Sequence, residues 1–157
     1  MTTEDSYREA IVQSAAGELG SLDHHVAAYW EACGLTAPFP LAWCGAFALS
    51  RLKAAGCAQG IDWMIGHGFL LVAPHALREV ATPKPGDVSY KPQPFQHHAV
   101  VERVEDGIVH TIDGNQGPPL YIKRASHPIG VGHVYFDVTP LIPKSDTIPS
   151  PPPPEPE

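Results

Sequence analysis

Pro83, Pro85 and Gly86, within "ATPKPGDVSY" at residues 81–90, forbid a continuous helix and split the chain into two kinds of sequence. Before them the apolar residues recur at helical spacing. Tyr7, Ile11, Ala15 and Leu19 predict a helix running to Gly20, with Ser6 and Glu9 in capping-box spacing at its start. Val26, Tyr29, Trp30 and Cys33 predict a second helix from about Asp23, stopped by Gly34. Phe47, Ala48, Leu52 and Ala55 predict a third, from Leu41 to Gly56. "IGHGF" predicts a bend, and "PHALREV" a short helix with Pro74 in its first turn. After the prolines the pattern is that of strands: "DVSY", "HHAVVERV", "IVHTID", "PLYIKRA" and "GVGHVYFDV". Asp106-Gly107 is the turn pair of a hairpin between the second and third of these. Helices followed by a run of adjacent strands define the α+β class, with an antiparallel sheet of about five strands.

The pattern stops again at Val138. "TPLIPKSDTIPSPPPPEPE" is too rich in proline for helix or sheet and favours extended polyproline II. The expected organisation is one domain over residues 1–138 and an extended tail or linker over 139–157. A formal charge of −7 argues against nucleic acid or an anionic membrane surface as partner. The longest apolar run, Phe69 to Ala73, is too short to span a bilayer, so no membrane insertion is expected. "MTTEDSYREA" has neither the basic nor the apolar region of a signal peptide, which predicts synthesis in the cytoplasm.

Three cysteines at irregular spacing, with no CxxC pair, predict reduced thiols rather than a zinc site or a disulfide framework. Cys33 and Cys57 each stand near a helix-ending glycine and read as small buried hydrophobes. Cys44 differs, because "PLAWCGAF" places it where a proline-rich loop gives way to a helix. Helix N-terminal amides favour a thiolate, and a nearby imidazolium favours it further. A thiolate nucleophile also needs a base, and the base needs a polar group to fix its tautomer. His97 and His98 stand at the entrance to the best-patterned strand, and alternation lets only one of them face the cysteine. The following strand ends in "TIDGNQG", where either Asp113 or Asn115 is placed to accept a hydrogen bond from the histidine. The other histidines, His24, His25, His67, His75, His110, His127 and His133, have no such context and read as surface or core residues. No motif with tight metal-ligand spacing is present, and no metal or cofactor is expected. Trp30, Trp43 and Trp63 read as core, with Trp43 also placed to wall a cleft beside the nucleophile.

In this order, "AWCGAFALSRLKAAG", "PKPGDVSY", "HHAVVERVEDG" and "TIDGN" resemble the CHAP domain (cysteine, histidine-dependent amidohydrolase/peptidase) of the papain-like cell-wall hydrolases. The resemblance covers roughly residues 7–138 and implies a papain-like fold. It puts the nucleophile at Cys44 and the base at His97, with His98 in reserve should the register slip by one. Asp113 falls on the family's glutamate and Asn115 on its asparagine. The shorter Asp113 leaves Asn115 as an alternative orienting group. The implied activity is cleavage of an amide bond of peptidoglycan, by an amidase or endopeptidase. Such an enzyme would act in the periplasm or cell wall after delivery or release, as an antibacterial effector or a phage lysin. An effector would imply a delivery apparatus and an immunity protein as partners. The alternatives are a papain-like protease or deamidase acting on proteins, and an inactive binding module of the same fold.

Overall fold

The computed structural model describes residues 2–20, 26–34, 43–61, 77–116 and 122–143. Three helices precede the sheet: α1 (Thr3–Ala16), α2 (Val26–Ala32) and α3 (Cys44–Ala54). Six strands follow: β1 (Glu79–Val80), β2 (Val88–Lys91), β3 (His97–Glu105), β4 (Ile108–Asp113), β5 (Lys123–Pro128) and β6 (Val134–Phe136). All pairings are antiparallel, in the order β1-β6-β2-β3-β4-β5. The α+β class stands, with one strand more than expected.

That extra strand is β1, where the sequence suggested the short helix "PHALREV". Its described part, residues 77–80, is extended, because Glu79 and Val80 pair with Phe136 and Tyr135 at the sheet edge. The strand expected in "PLYIKRA" lies further along, at Lys123–Pro128, paired along the full length of β4. Helix α1 begins one turn earlier than expected. Thr2 and Asp5, not Ser6 and Glu9, form the capping box: Asp5 N–H donates to Thr2 Oγ1 at 3.0 Å and Thr2 N–H to Asp5 Oδ2 at 3.2 Å. The β3–β4 turn is the expected one, with Asp106 and Gly107 both at positive φ (52° and 76°) as a two-residue hairpin loop requires. The bend expected in "IGHGF", together with Trp63, His24, His25, His67 and His75, lies outside the described residues.

The helices cover one face of the sheet. Ile11, Trp30, Phe47 and Leu52 pack there against Val88, Val100, Ile112 and Phe136. Helix α3 is buried along nearly its whole length, which places it centrally between the other helices and the sheet. Cys33 and Cys57 are buried in this core as expected, and burial pushes the Cys57 thiol up to about 11. The other face carries a smaller cluster, Val101, Val109 and Tyr135. Buried Arg8 ties α1 to the sheet. Its guanidinium donates to Asp87 Oδ1 at 2.7 Å and Asp137 Oδ1 at 3.0 Å, and to the Pro85 carbonyl at 3.0 Å. Packing continues past Val138: a 3₁₀ turn at Thr139–Leu141 buries Leu141 in the core, and Ala58 N–H donates to the Leu141 carbonyl at 2.9 Å. No helix among the described residues is long and apolar enough to cross a membrane.

Candidate active site

Cys44 is the first residue of α3, with Trp43 as its N-cap. The leading N–H groups of a helix have no intrahelical partner, so its sulfur stands where the partial positive charge is greatest. The helix delivers it to the end of the sheet at which β3 begins and β4 finishes. His97 opens β3 on the open face, and Asp113 closes β4. The His97 Nε2–H donates to Asp113 Oδ2 at 2.7 Å. Because Nε2 is committed there, Nδ1 is the nitrogen left for its hydrogen bond with Cys44. The second carboxylate oxygen, Oδ1, accepts from the Thr111 hydroxyl, so both oxygens of Asp113 are fixed. Cys44, His97, Asp113 and Thr111 form one continuous chain of polar contacts.

The turn that follows Asp113 is docked on the helix that carries the cysteine. A Cβ at Gly114 would lie 2.7 Å from Phe47 Cβ and 2.9 Å from Trp43 Cζ3, so only glycine allows this approach. Trp43 is consequently core, stacked on Tyr29 at 5.6 Å. Asn115 occupies the left-handed region (φ 60°), is exposed, and makes no hydrogen bond to His97. Of the two residues offered by the sequence, the histidine's partner is Asp113. Asn115 lines the mouth of the cleft.

The electrostatics follow from these contacts. Burial pushes the Cys44 thiol up, but the influence of His97, and after it of the neighbouring His98, outweighs burial and brings the thiol from 9.0 down to about 6. Burial pulls His97 down, yet its hydrogen bonds to Asp113 and Cys44 prevail and raise it from 6.5 to about 9. Both shifts run in the direction that favours a thiolate beside an imidazolium. Chemically this is a nucleophile with its proton donor in contact, the donor oriented by a carboxylate.

His98 departs from expectation. Strand alternation turns its ring to the helix side, against Tyr90 at 4.8 Å, while His97 faces the open side. Cys44 lies at the end of the strand rather than over one face, so both imidazoles reach the sulfur. The His98 contact is one of proximity: both of its ring nitrogens are buried with no hydrogen-bond partner of normal geometry. His98 is fully buried and does not line the cleft, whereas His97 does.

A cleft of about 560 Å³ opens over the site on the uncovered face of the sheet. Three contributors went unread in the sequence. The Gln116 amide lies 3.2 Å from His97 Nε2 and borders the His97–Asp113 pair. His127 and His133, read as unremarkable histidines, both line the cleft with their rings stacked at 3.5 Å. Only the proximity of Gln116 to "TIDGN" signalled any of them. No group of three or more His, Cys, Asp or Glu suited to a metal ion occurs among the described residues. Comparison of the chain with protein-family models, with curated proteins and with solved structures gives no match.

Proposed function

We propose that the protein is a cysteine-dependent amidohydrolase or peptidase of papain-like type that cleaves an amide bond of peptidoglycan. The observation that carries the reading is the His97 imidazole bound to the Asp113 carboxylate beside the Cys44 sulfur, which stands at a helix start. In the proposed reaction the Cys44 thiolate adds to the amide carbonyl carbon. The backbone N–H of Cys44, at the start of α3, helps hold the developing oxyanion. Collapse breaks the C–N bond, and the His97 imidazolium gives its proton to the departing amine. Water then adds to the thioester, with His97 taking its proton, and the acid leaves as the thiolate is restored. The Asp113 carboxylate keeps the imidazole in one tautomer throughout, and Thr111 holds the carboxylate.

Peptidoglycan, rather than protein, is chosen because four motifs stand in the order shared by CHAP-type cell-wall hydrolases. On this reading the protein acts on the wall after delivery or release, as an antibacterial effector or a phage lysin. Mass spectrometry of purified sacculi after digestion tests the proposal. The native protein should release fragments with a new amine and a new carboxyl terminus, and Cys44→Ala should release none. Undigested sacculi, alongside a Cys44 that alkylates as a thiolate, would reject peptidoglycan as the substrate.

A further inference from the structure

We propose that the far wall of the cleft is a carboxylate subsite, in which Lys91, His127 and His133 hold a free carboxylate of the substrate near the scissile amide. This rests on reading the cleft as the substrate site and adds the charge that the substrate must carry. The chain as a whole is acidic, at −7, but its cleft is not. Among the described residues the one carboxylate lining it, Asp113, has both oxygens committed to His97 and Thr111. The remaining ionisable side chains of its lining besides the Cys44–His97 pair are Lys91, His127 and His133. Lys91 is the last residue of β2 and the direct cross-strand partner of His97, so its side chain leaves the sheet on the cleft face, and its charge is felt at His127. It makes no hydrogen bond or ion pair among the described residues, so its charge is uncompensated.

The two histidines are held in register by the surrounding backbone and Tyr135. Gly130 N–H donates to the Tyr135 hydroxyl at 2.9 Å, and that hydroxyl lies 2.7 Å from His127 Nε2. A hydroxyl that accepts from Gly130 is free to give its own proton to Nε2, which leaves Nδ1–H of the neutral His127 as a spare donor. His133 donates Nδ1–H to the Val131 carbonyl at 2.8 Å and keeps Nε2 spare. Their rings lie parallel within 4° at 3.5 Å, so two positive charges there would repel at close range. Burial, then the charge of His133, holds His127 down to about 4. A carboxylate is the group whose charge complements the Lys91 ammonium and the ring donors beside it. It accepts from the ammonium and from both spare ring positions once His133 is protonated. Hydroxyls of Ser89 and Ser126 complete a polar floor, and Phe95, 83% exposed at the rim, offers an apolar contact for the remainder of the substrate.

The test separates binding from turnover by using Cys44→Ala protein. Two dye-labelled peptides are compared by fluorescence anisotropy, one with a free carboxylate next to the scissile amide and one with that carboxylate converted to carboxamide. The carboxylate peptide should bind about tenfold tighter at low salt, a margin that shrinks as salt screens the ammonium. Lys91→Met and His133→Asn should each cut the margin, and Lys91→Arg should keep it. Equal affinity for the two peptides, no measurable binding of either, or a margin untouched by Lys91→Met would overturn the subsite. Digestion of sacculi by the native protein is unaffected by any of those results. A subsite that fails is therefore distinguishable from a hydrolase reading that fails.

Discussion

Replacing His97 by alanine should return the Cys44 thiol to an ordinary or higher pKa, and the size of the change follows from the contacts. The thiol sits at about 6 against an ordinary 9.0, although burial by itself acts in the opposite direction. Three pKa units correspond to roughly 4 kcal/mol of preference for the thiolate, with His97 the leading favourable contact and His98 the next. Without it, burial should carry the thiol to about 9 or beyond. At pH 7 the thiolate fraction then falls from about nine-tenths to about one hundredth, roughly ninetyfold. A more basic thiolate is intrinsically more reactive, by about twentyfold over three units at a Brønsted slope near 0.45. The net slowing at pH 7 is therefore only about fivefold, and a single-pH rate is a poor assay. The pH profile is the sensitive one. Iodoacetamide labelling of each cysteine, followed by mass spectrometry from pH 4 to 10 or so, should give a Cys44 midpoint near 6 in the native protein and near 9 or above in His97→Ala. Cys33 and Cys57, both fully buried, serve as slow internal controls. A midpoint that stays near 6 in His97→Ala would refute the reasoning. If His98→Ala moved it instead, the ion pair would belong to His98.

Gly114→Ala should cost about 1–3 kcal/mol in urea unfolding, because its Cβ would meet Phe47 and Trp43 at under 3 Å, and activity should fall further as Asp113 shifts. Wild-type stability in that variant would mean that the turn is not pressed on α3. Arg8→Met should cost about 3–5 kcal/mol in the same assay, since Asp87 and Asp137 would remain buried without their shared cation. A loss under about 1 kcal/mol would show that Arg78, which also reaches Asp137 at 2.7 Å, suffices. A chain ending at Val138 should lose about 3 kcal/mol, from Leu141 burial and the Ala58 hydrogen bond, and one ending at Pro143 should keep its Tm. Equal Tm for both would show that the 3₁₀ turn adds nothing to the fold.

Those features that the sequence displayed are local ones. The helical spacing of Ile11 and Ala15, the helix-ending Gly34 and Gly56, and the Asp106-Gly107 turn all express themselves within a few residues, and the three helices and the β3–β4 hairpin formed where expected to within about a turn. The candidate site was legible for a related reason. Cys44 at a helix start, His97 at a strand start and Asp113 at a strand end are positions defined by element boundaries. What stayed hidden depends on contacts made across long stretches of chain. Arg8 has the spacing of any helical residue, and its partners Asp87 and Asp137 flank strands β2 and β6, far along the sequence. Strand β1 has two residues, too few to show any period, and exists only because β6 offers an unpaired edge. His127 and His133 are the exception, only six residues apart, but the turn that stacks their rings follows no spacing rule of helix or strand.

The choice between Asp113 and Asn115 shows where local reasoning stops. Strand alternation puts residues 111, 113 and 115 on one face, and it holds for Thr111 and Asp113, which share a hydrogen bond on that face. It fails for Asn115 because the strand ends at Asp113. Gly114 then presses against Phe47 and Trp43, and the chain turns away through positive φ. The same contact that removes Asn115 from reach of His97 fixes Asp113 within it. The orienting carboxylate is thus set by how closely a backbone glycine packs on the cysteine's own helix, a tertiary fact that the spacing D-G-N does not contain.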